Sequence, residues 1–304
     1  MIKILSILPD NEDIIKFTST DSSKSENDAN NKIRESIIKN MNFIDDEFIM
    51  DPIYGEKWKN LKEQFNNAMS LICPSFFKYE IKHMAGRNNN YDFLIKFFDS
   101  QSSILKEVKL EFKYNASTIN ETSQFVSPMK PSQYLSSSFE DYYYDNCLIQ
   151  LLNLFNINVP DKAEYLKTIH SNKPKCMEAA QLLYYQGCQK SSKFTQDDIA
   201  CAFYEKANSL SKICISQFIE NTDLNIEKLS HYLIESQNEK IYLLYKNDKF
   251  YVEKINSDDY LIESYVKNPD KSRYEALTKS QKKINILLRW KNGNGIAYPA
   301  FQIS

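Results

Sequence analysis

The chain has 304 residues, 42% of them hydrophobic, and carries a formal net charge of -2 at a pI near 6.0. That apolar content supports a sizeable core and excludes a disordered chain, while the near-neutral charge excludes a global field drawing the protein onto polyanions. Its five glycines (Gly55, Gly86, Gly187, Gly293 and Gly295) are too sparse to spell a P-loop or a dinucleotide fingerprint, so NTPase, kinase-like and Rossmann readings fall.

Residues 1–8, MIKILSIL, are apolar but run into Pro9, Asp10, Glu12 and Asp13 without a basic leader or a cleavage site. They read as a first strand rather than a signal peptide. Residues 18–30 are polar and low in complexity, which predicts a mobile loop. Helix resumes near Asn31, where Ile33, Ile37, Ile38 and Met41 recur at helical spacing. A second helix over about 56–71 carries Trp58, Leu61, Phe65 and Met69 and is broken by Pro74.

The segment Tyr91 to Tyr114 changes character. YDFLIKFF and ILKEVKLEFKY are aromatic, β-branched and alternating, and Asp99-Ser100-Gln101-Ser102-Ser103 between them is turn-like, which predicts a β-hairpin. Residues 140–235 read as mostly helical, the clearest helix starting at Thr195 with Gln196, Asp197 and Asp198 in its first turn. Strand signals return at the C-terminus: KIYLLY and KFYVEKI flank residues 246–249, and INILLRW meets GIAYPAFQI across residues 291–294. The order predicts a mixed α/β plan with a mostly helical insertion. Its expected divisions are a core over 1–139 carrying the hairpin, the insertion over 140–239, and C-terminal strands over 240–304. Those strands either complete the sheet or form a small DNA-contact subdomain.

With the turn centred between Gln101 and Ser102, paired residues sum to 203, which sets Asp92 opposite Glu111. Side chains alternate along a strand, so Lys113 joins Glu111 on that face. Phe93, Ile95, Phe97, Val108, Leu110 and Phe112 form the other, apolar face. Two neighbouring carboxylates repel unless a cation intervenes, and hard oxygen ligands favour Mg²⁺ (or Mn²⁺). Such an ion activates water and steadies phosphate charge in phosphodiester hydrolysis, with the ammonium positioned to assist. The plain alternative is a solvated hairpin face stabilised by cross-strand charge pairs.

Asp92 at the start of one strand, in Asn90-Tyr91-Asp92-Phe93, followed by Leu110-Glu111-Phe112-Lys113 in the next, resembles the PD-(D/E)XK superfamily of restriction-endonuclease-like nucleases. The resemblance covers about residues 75–140. It implies a restriction-endonuclease-like mixed sheet flanked by helices, with Asp92 and Glu111 holding the metal and Lys113 catalytic. Tyr91 stands where the family usually has Pro. Glu80 resembles the additional acid that many members place on an upstream helix, and Gln133 resembles a polar residue that helps orient the site.

Lys271, Arg273, Lys279, Lys282 and Lys283, with Glu275 the only acid between 271 and 283, form a local basic stretch suited either to a phosphate backbone or to a solvated helix face. His83 would share a helix face with Glu80, an arrangement similar to cap-snatching RNA nucleases. The six cysteines form no C-x-x-C pair, so a zinc site is not expected. No run is long enough for a membrane helix, and an intracellular location, cytoplasmic or nuclear, is expected.

These residues together predict a Mg²⁺-dependent endonuclease acting on DNA rather than RNA, without a membrane partner. A homodimer is compatible with two cuts in a duplex, though no interface is marked. The alternatives are an inactive nucleic-acid-binding or interaction protein of the same fold and an RNA endonuclease of the cap-snatching type.

Overall fold

The structure is a computed structural model that describes residues 8–20, 24–84, 89–125, 129–171, 173–291 and 293–304. The strand expected over residues 1–8 lies outside the described residues except for Leu8. The helices in chain order are α1 (Asp13–Thr18), α2 (Lys24–Lys39), α3 (Asp46–Ile49), α4 (Gly55–Ile72), α5 (Phe139–Tyr143), α6 (Ile149–Leu154), α7 (Lys162–Thr168), α8 (Glu178–Gly187), α9 (Asp198–Asn221) and α10 (Ile226–Asn238). The strands are β1 (Lys78–His83), β2 (Phe93–Phe98), β3 (Ile104–Tyr114), β4 (Gln124–Phe125), β5 (Lys240–Lys246), β6 (Lys249–Glu253), β7 (Ile262–Asn268), β8 (Arg273–Thr278), β9 (Lys283–Trp290) and β10 (Pro299–Ile303). Two compact units result: Met1–Thr122 with Ser236–Ile255, and Ser123–Glu235 with Asn256–Ser304.

The first unit is a mixed α/β fold built on a five-stranded sheet in the order β1-β2-β3-β5-β6. Strands β1, β2 and β3 run antiparallel in succession, β5 joins β3 in parallel, and β6 returns antiparallel. The alternation read from the hairpin holds throughout: Phe93, Ile95, Phe97, Val108, Leu110 and Phe112 are all buried. With Ile241, Leu243 and Tyr245 of β5 they share one core with the apolar sides of α1, α2 and α4, including Phe17, Ile37, Trp58 and Phe65. The opposite face carries polar side chains over the hairpin. Beneath β5 it carries a small cluster of Ala116, Ile119, Tyr242 and Leu244.

Where the loop over 18–30 was expected, α2 begins at Lys24. The cause is tertiary: the fully buried Arg34 donates to Phe17 O at 3.2 Å and Ser19 O at 2.8 Å, and stacks 3.4 Å above the Tyr114 ring. These contacts anchor a helix whose own N-terminal composition is too polar to announce it.

The second unit is an antiparallel sheet, β4-β10-β9-β8-β7, accompanied by α5 to α9. The two expected C-terminal hairpins both form, but residues 240–304 are divided: β5 and β6 complete the first sheet, while β7 to β10 belong to the second. Helix α9 starts at Asp198 rather than Thr195, because Asp197 caps it by accepting from Ala200 N at 2.8 Å and Gln196 sits at φ +57°. No helix among the described residues is long and apolar enough to cross a membrane.

Candidate active site

The hairpin register fixes the site. Phe93 pairs with Leu110, Leu94 with Lys109, Ile95 with Val108, Lys96 with Glu107 and Phe97 with Lys106, before a bulge at Phe97/Phe98 adjusts the turn. Asp99 closes that turn by accepting from Gln101 N at 2.9 Å and Ser103 N at 2.8 Å. Continued one residue past Phe93, the register brings Asp92 opposite Glu111. The Asp92 amide donates to Leu110 O at 3.0 Å, and its Oδ2 accepts from the Phe112 N–H at 2.9 Å, so its carboxylate folds over the end of the ladder toward β3.

Glu111 is buried, and Lys113 Nζ lies 2.6 Å from its Oε1. Asp92 and Lys113 are half-buried, which leaves the cluster reachable from solvent. Burial pushes the Asp92 carboxyl up to about 7; the charge of Glu111 adds to this, while Lys113 and the Phe112 N–H work against it. Burial also opposes the charge of Glu111, but Lys113 and Lys240 beside it hold its carboxyl below the ordinary value. Burial disfavours the charge on Lys113 too, yet Glu111 and Asp92 outweigh it and raise the ammonium's pKa. Asp92, Glu111 and Lys113 therefore influence one another electrostatically.

Other expected site residues lie elsewhere. Glu80 is not on a helix: it sits on β1, exposed, opposite Lys96. Lys96 in turn faces Glu107, so Glu80 belongs to a cross-strand charge row four residues along β3 from Glu111. On a strand, positions three apart point to opposite faces, so Glu80 and His83 cannot act together. His83 instead packs on Phe93, ring centroids 5.3 Å apart, with its Nε2 3.2 Å from Oε2 of Glu35. Glu35 lies on α2, a helix upstream of the hairpin. Its charge is near enough to contribute to the shifts of both Asp92 and Lys113. Within the Asn31–Met41 apolar pattern it is an ordinary polar helix position, and nothing local singles it out.

Lys240, the first residue of β5, was also missed. Its side chain is 1% exposed, with Nζ 3.2 Å from Glu111 Oε2 and 2.6 Å from Asn90 O. In sequence it is one lysine among many, and only the parallel pairing of β5 with β3 places it here.

Gln133 falls in the second unit, in a short helical turn (Pro131–Tyr134) lining an open groove with Asn225, Lys228 and His231. The basic stretch is also in that unit and is not one helix: Lys271 ends a short helical turn (Pro269–Lys271), Arg273 lies on β8, Lys279 and Lys282 lie between the strands, and Lys283 opens β9. Arg273 is paired with Glu275, Lys279 with Asp258 at 3.4 Å and Lys282 with Asp259 at 3.8 Å, which divides the charge that the sequence groups together.

No protein-family model and no curated protein matches the sequence. Among solved structures the chain is similar to restriction endonuclease MspI in complex with its cognate DNA, at 11% identity and a TM-score of 0.29, over 90% of this chain and 88% of that one. At this identity and score the site has to be judged on its own geometry.

Proposed function

We propose that the first unit carries a metal-dependent endonuclease that hydrolyses phosphodiester bonds in DNA. The observation that supports this reading is the hairpin register, which gathers Asp92, Glu111 and Lys113 on one half-buried face. The donor set suits a hard divalent cation. Asp92 and Glu111 face each other across the hairpin; burial is the main reason the Asp92 carboxyl is raised and the charge of Glu111 adds to it, and Mg²⁺ or Mn²⁺ would favour the ionised form of both. Bound there, such a cation would supply a water of lowered pKa and steady charge on the phosphate oxygens.

The chain's own residues do the rest. Asp92 and Glu111 would hold the ion. Their geometry is fixed from behind, by the Phe112 N–H on Asp92 and by the two lysines on Glu111. Lys113, whose ammonium stays charged, orients the attacking water and offsets charge on the phosphate. Glu35 adds negative charge from α2, and His83 steadies it. Lys271, Arg273, Lys279, Lys282 and Lys283 are proposed to contact the backbone. Three of them are paired with acids at present, Lys279 with Asp258 at an exposed site where such a pair is worth little, and a phosphate would have to displace those acids.

A second reading, a nucleic-acid-binding protein without turnover, is favoured by one feature: both oxygens of Glu111 already have ammonium partners. Plasmid DNA separates the two. The endonuclease reading expects nicking or cutting with Mg²⁺ or Mn²⁺, none in EDTA, and a loss of about 100-fold or more with a folded Lys113→Ala variant. Undiminished activity in Lys113→Ala places the site elsewhere, and DNA binding without any cutting favours the second reading.

A further inference from the structure

The nuclease reading uses Lys240 only to steady Glu111 and gives its charge no part in binding the ion. Parallel pairing aligns Lys240 with Lys109, so its side chain leaves the sheet on the same face as Glu111 and Lys113. It is not a surface lysine that has folded inward. Its side chain is almost wholly enclosed, and the ammonium is held between Glu111 Oε2 at 3.2 Å and the carbonyl of Asn90 at 2.6 Å. Asn90 is itself anchored, donating through Nδ2 to Ser236 O at 2.7 Å. A buried ammonium is tolerated only where such partners compensate it, and these partners also keep it from swinging away.

Two consequences follow from this placement. Lys113 takes Oε1 of Glu111 and Lys240 takes Oε2, so Oε2 is committed to an ammonium that is itself almost wholly enclosed. With both carboxylates ionised and both lysines protonated, the four charges cancel. One divalent ion brings the cluster to a positive charge that substrate phosphate can balance. A second would add two further charges in a partly enclosed site, next to a fixed ammonium that repels it.

We propose that Lys240 is a built-in cation standing in the place of a second metal ion, so that the centre takes a single divalent cation. The same ammonium ties the Asn90 segment, which leads into Asp92, to Glu111, and so acts as a positioning group for both carboxylates. This inference rests on the nuclease reading, from which its failure can be told apart.

The test is titration of the full chain with Mn²⁺ in the absence of nucleic acid, with free Mn²⁺ followed by electron paramagnetic resonance. Wild type is expected to bind one Mn²⁺ per chain. Lys240→Met, which keeps the length and removes the charge, is expected to bind it about tenfold more tightly because a repelling charge is gone, and Lys240→Arg to match wild type. Should Lys240→Met not fold, Lys240→Gln carries the same expectation while retaining a donor for the Asn90 carbonyl. Two ions per wild-type chain, or unchanged or weaker binding after the neutral substitution, overturns the inference. Wild-type binding that is unaffected by Asp92→Asn overturns the nuclease reading instead.

Discussion

The Phe112 N–H donates to Asp92 Oδ2 at 2.9 Å, so a backbone group of β3 holds the carboxylate that lies one residue beyond the paired part of β2. Phe112 is also the residue between Glu111 and Lys113, with its ring turned into the core. One peptide group thus positions the acid across the hairpin while its neighbours supply the second acid and the ammonium. The site is a property of strand register, and disturbing the register disturbs all three residues together.

Lys113→Ala is expected to lower Mg²⁺-dependent cleavage about 100-fold or more, the loss typical of one electrostatic group removed from a developing charge. Glu111 keeps Lys240 as a partner, so the fold survives. Single-turnover cleavage of a labelled duplex, with circular dichroism as the control for folding, checks this.

Glu35→Gln and Glu80→Gln separate the acid the structure places near the site from the one that sequence alone suggests. Glu35→Gln is expected to reduce activity about 10-fold, as loss of a supporting group near a metal site does, and Glu80→Gln to leave it unchanged. Equal effects of the two would remove Glu35 from the site.

The carboxyl of Asp92 gives the metal-free protein a specific pH dependence. Its folded pKa, about 7, lies above its ordinary 3.8, so between these values the folded state holds the proton more tightly. Stability from this group is therefore present at low pH and lost as pH climbs toward 7. In EDTA the thermal midpoint of wild type should fall relative to Asp92→Asn over about pH 4 to 7, and Mg²⁺ should restore more of it at pH 8 than at pH 5. A constant difference between the two proteins across that range would contradict the shift.

Leu110→Ala is expected to cost about 2–5 kcal/mol in urea unfolding, because it empties a fully buried position directly behind the site. Asp197→Ala is expected to cost about 0.5–2 kcal/mol through loss of the α9 cap, without effect on cleavage.

The hairpin was legible because its information is local. Period-two alternation and a turn rich in Asp and Ser fix both the register and the faces, and Asp92, Glu111 and Lys113 follow from counting. The rest of the site depends on contacts between distant segments. Lys240 reaches Glu111 across 129 positions in sequence, through a parallel pairing that no local pattern encodes. Glu35 depends on where α2 docks, and the start of α2 depends on the buried Arg34. Glu80 misled because KYEIKH, a strand in the structure, has charges at a spacing that also suits a helix. The basic residues of 271–283 are adjacent in sequence, but a strand and a turn send them to separate acidic partners.

Anomalous diffraction from crystals of the full chain soaked in Mn²⁺ tests most directly whether Asp92 and Glu111 share a cation. The expected result is a single peak about 2.2 Å from a carboxylate oxygen of each residue, with Lys113 beside it and Lys240 still on Glu111. A peak held by other residues, or none at saturating Mn²⁺ with Glu111 still clasped between its two lysines, would contradict a metal-dependent nuclease at this hairpin.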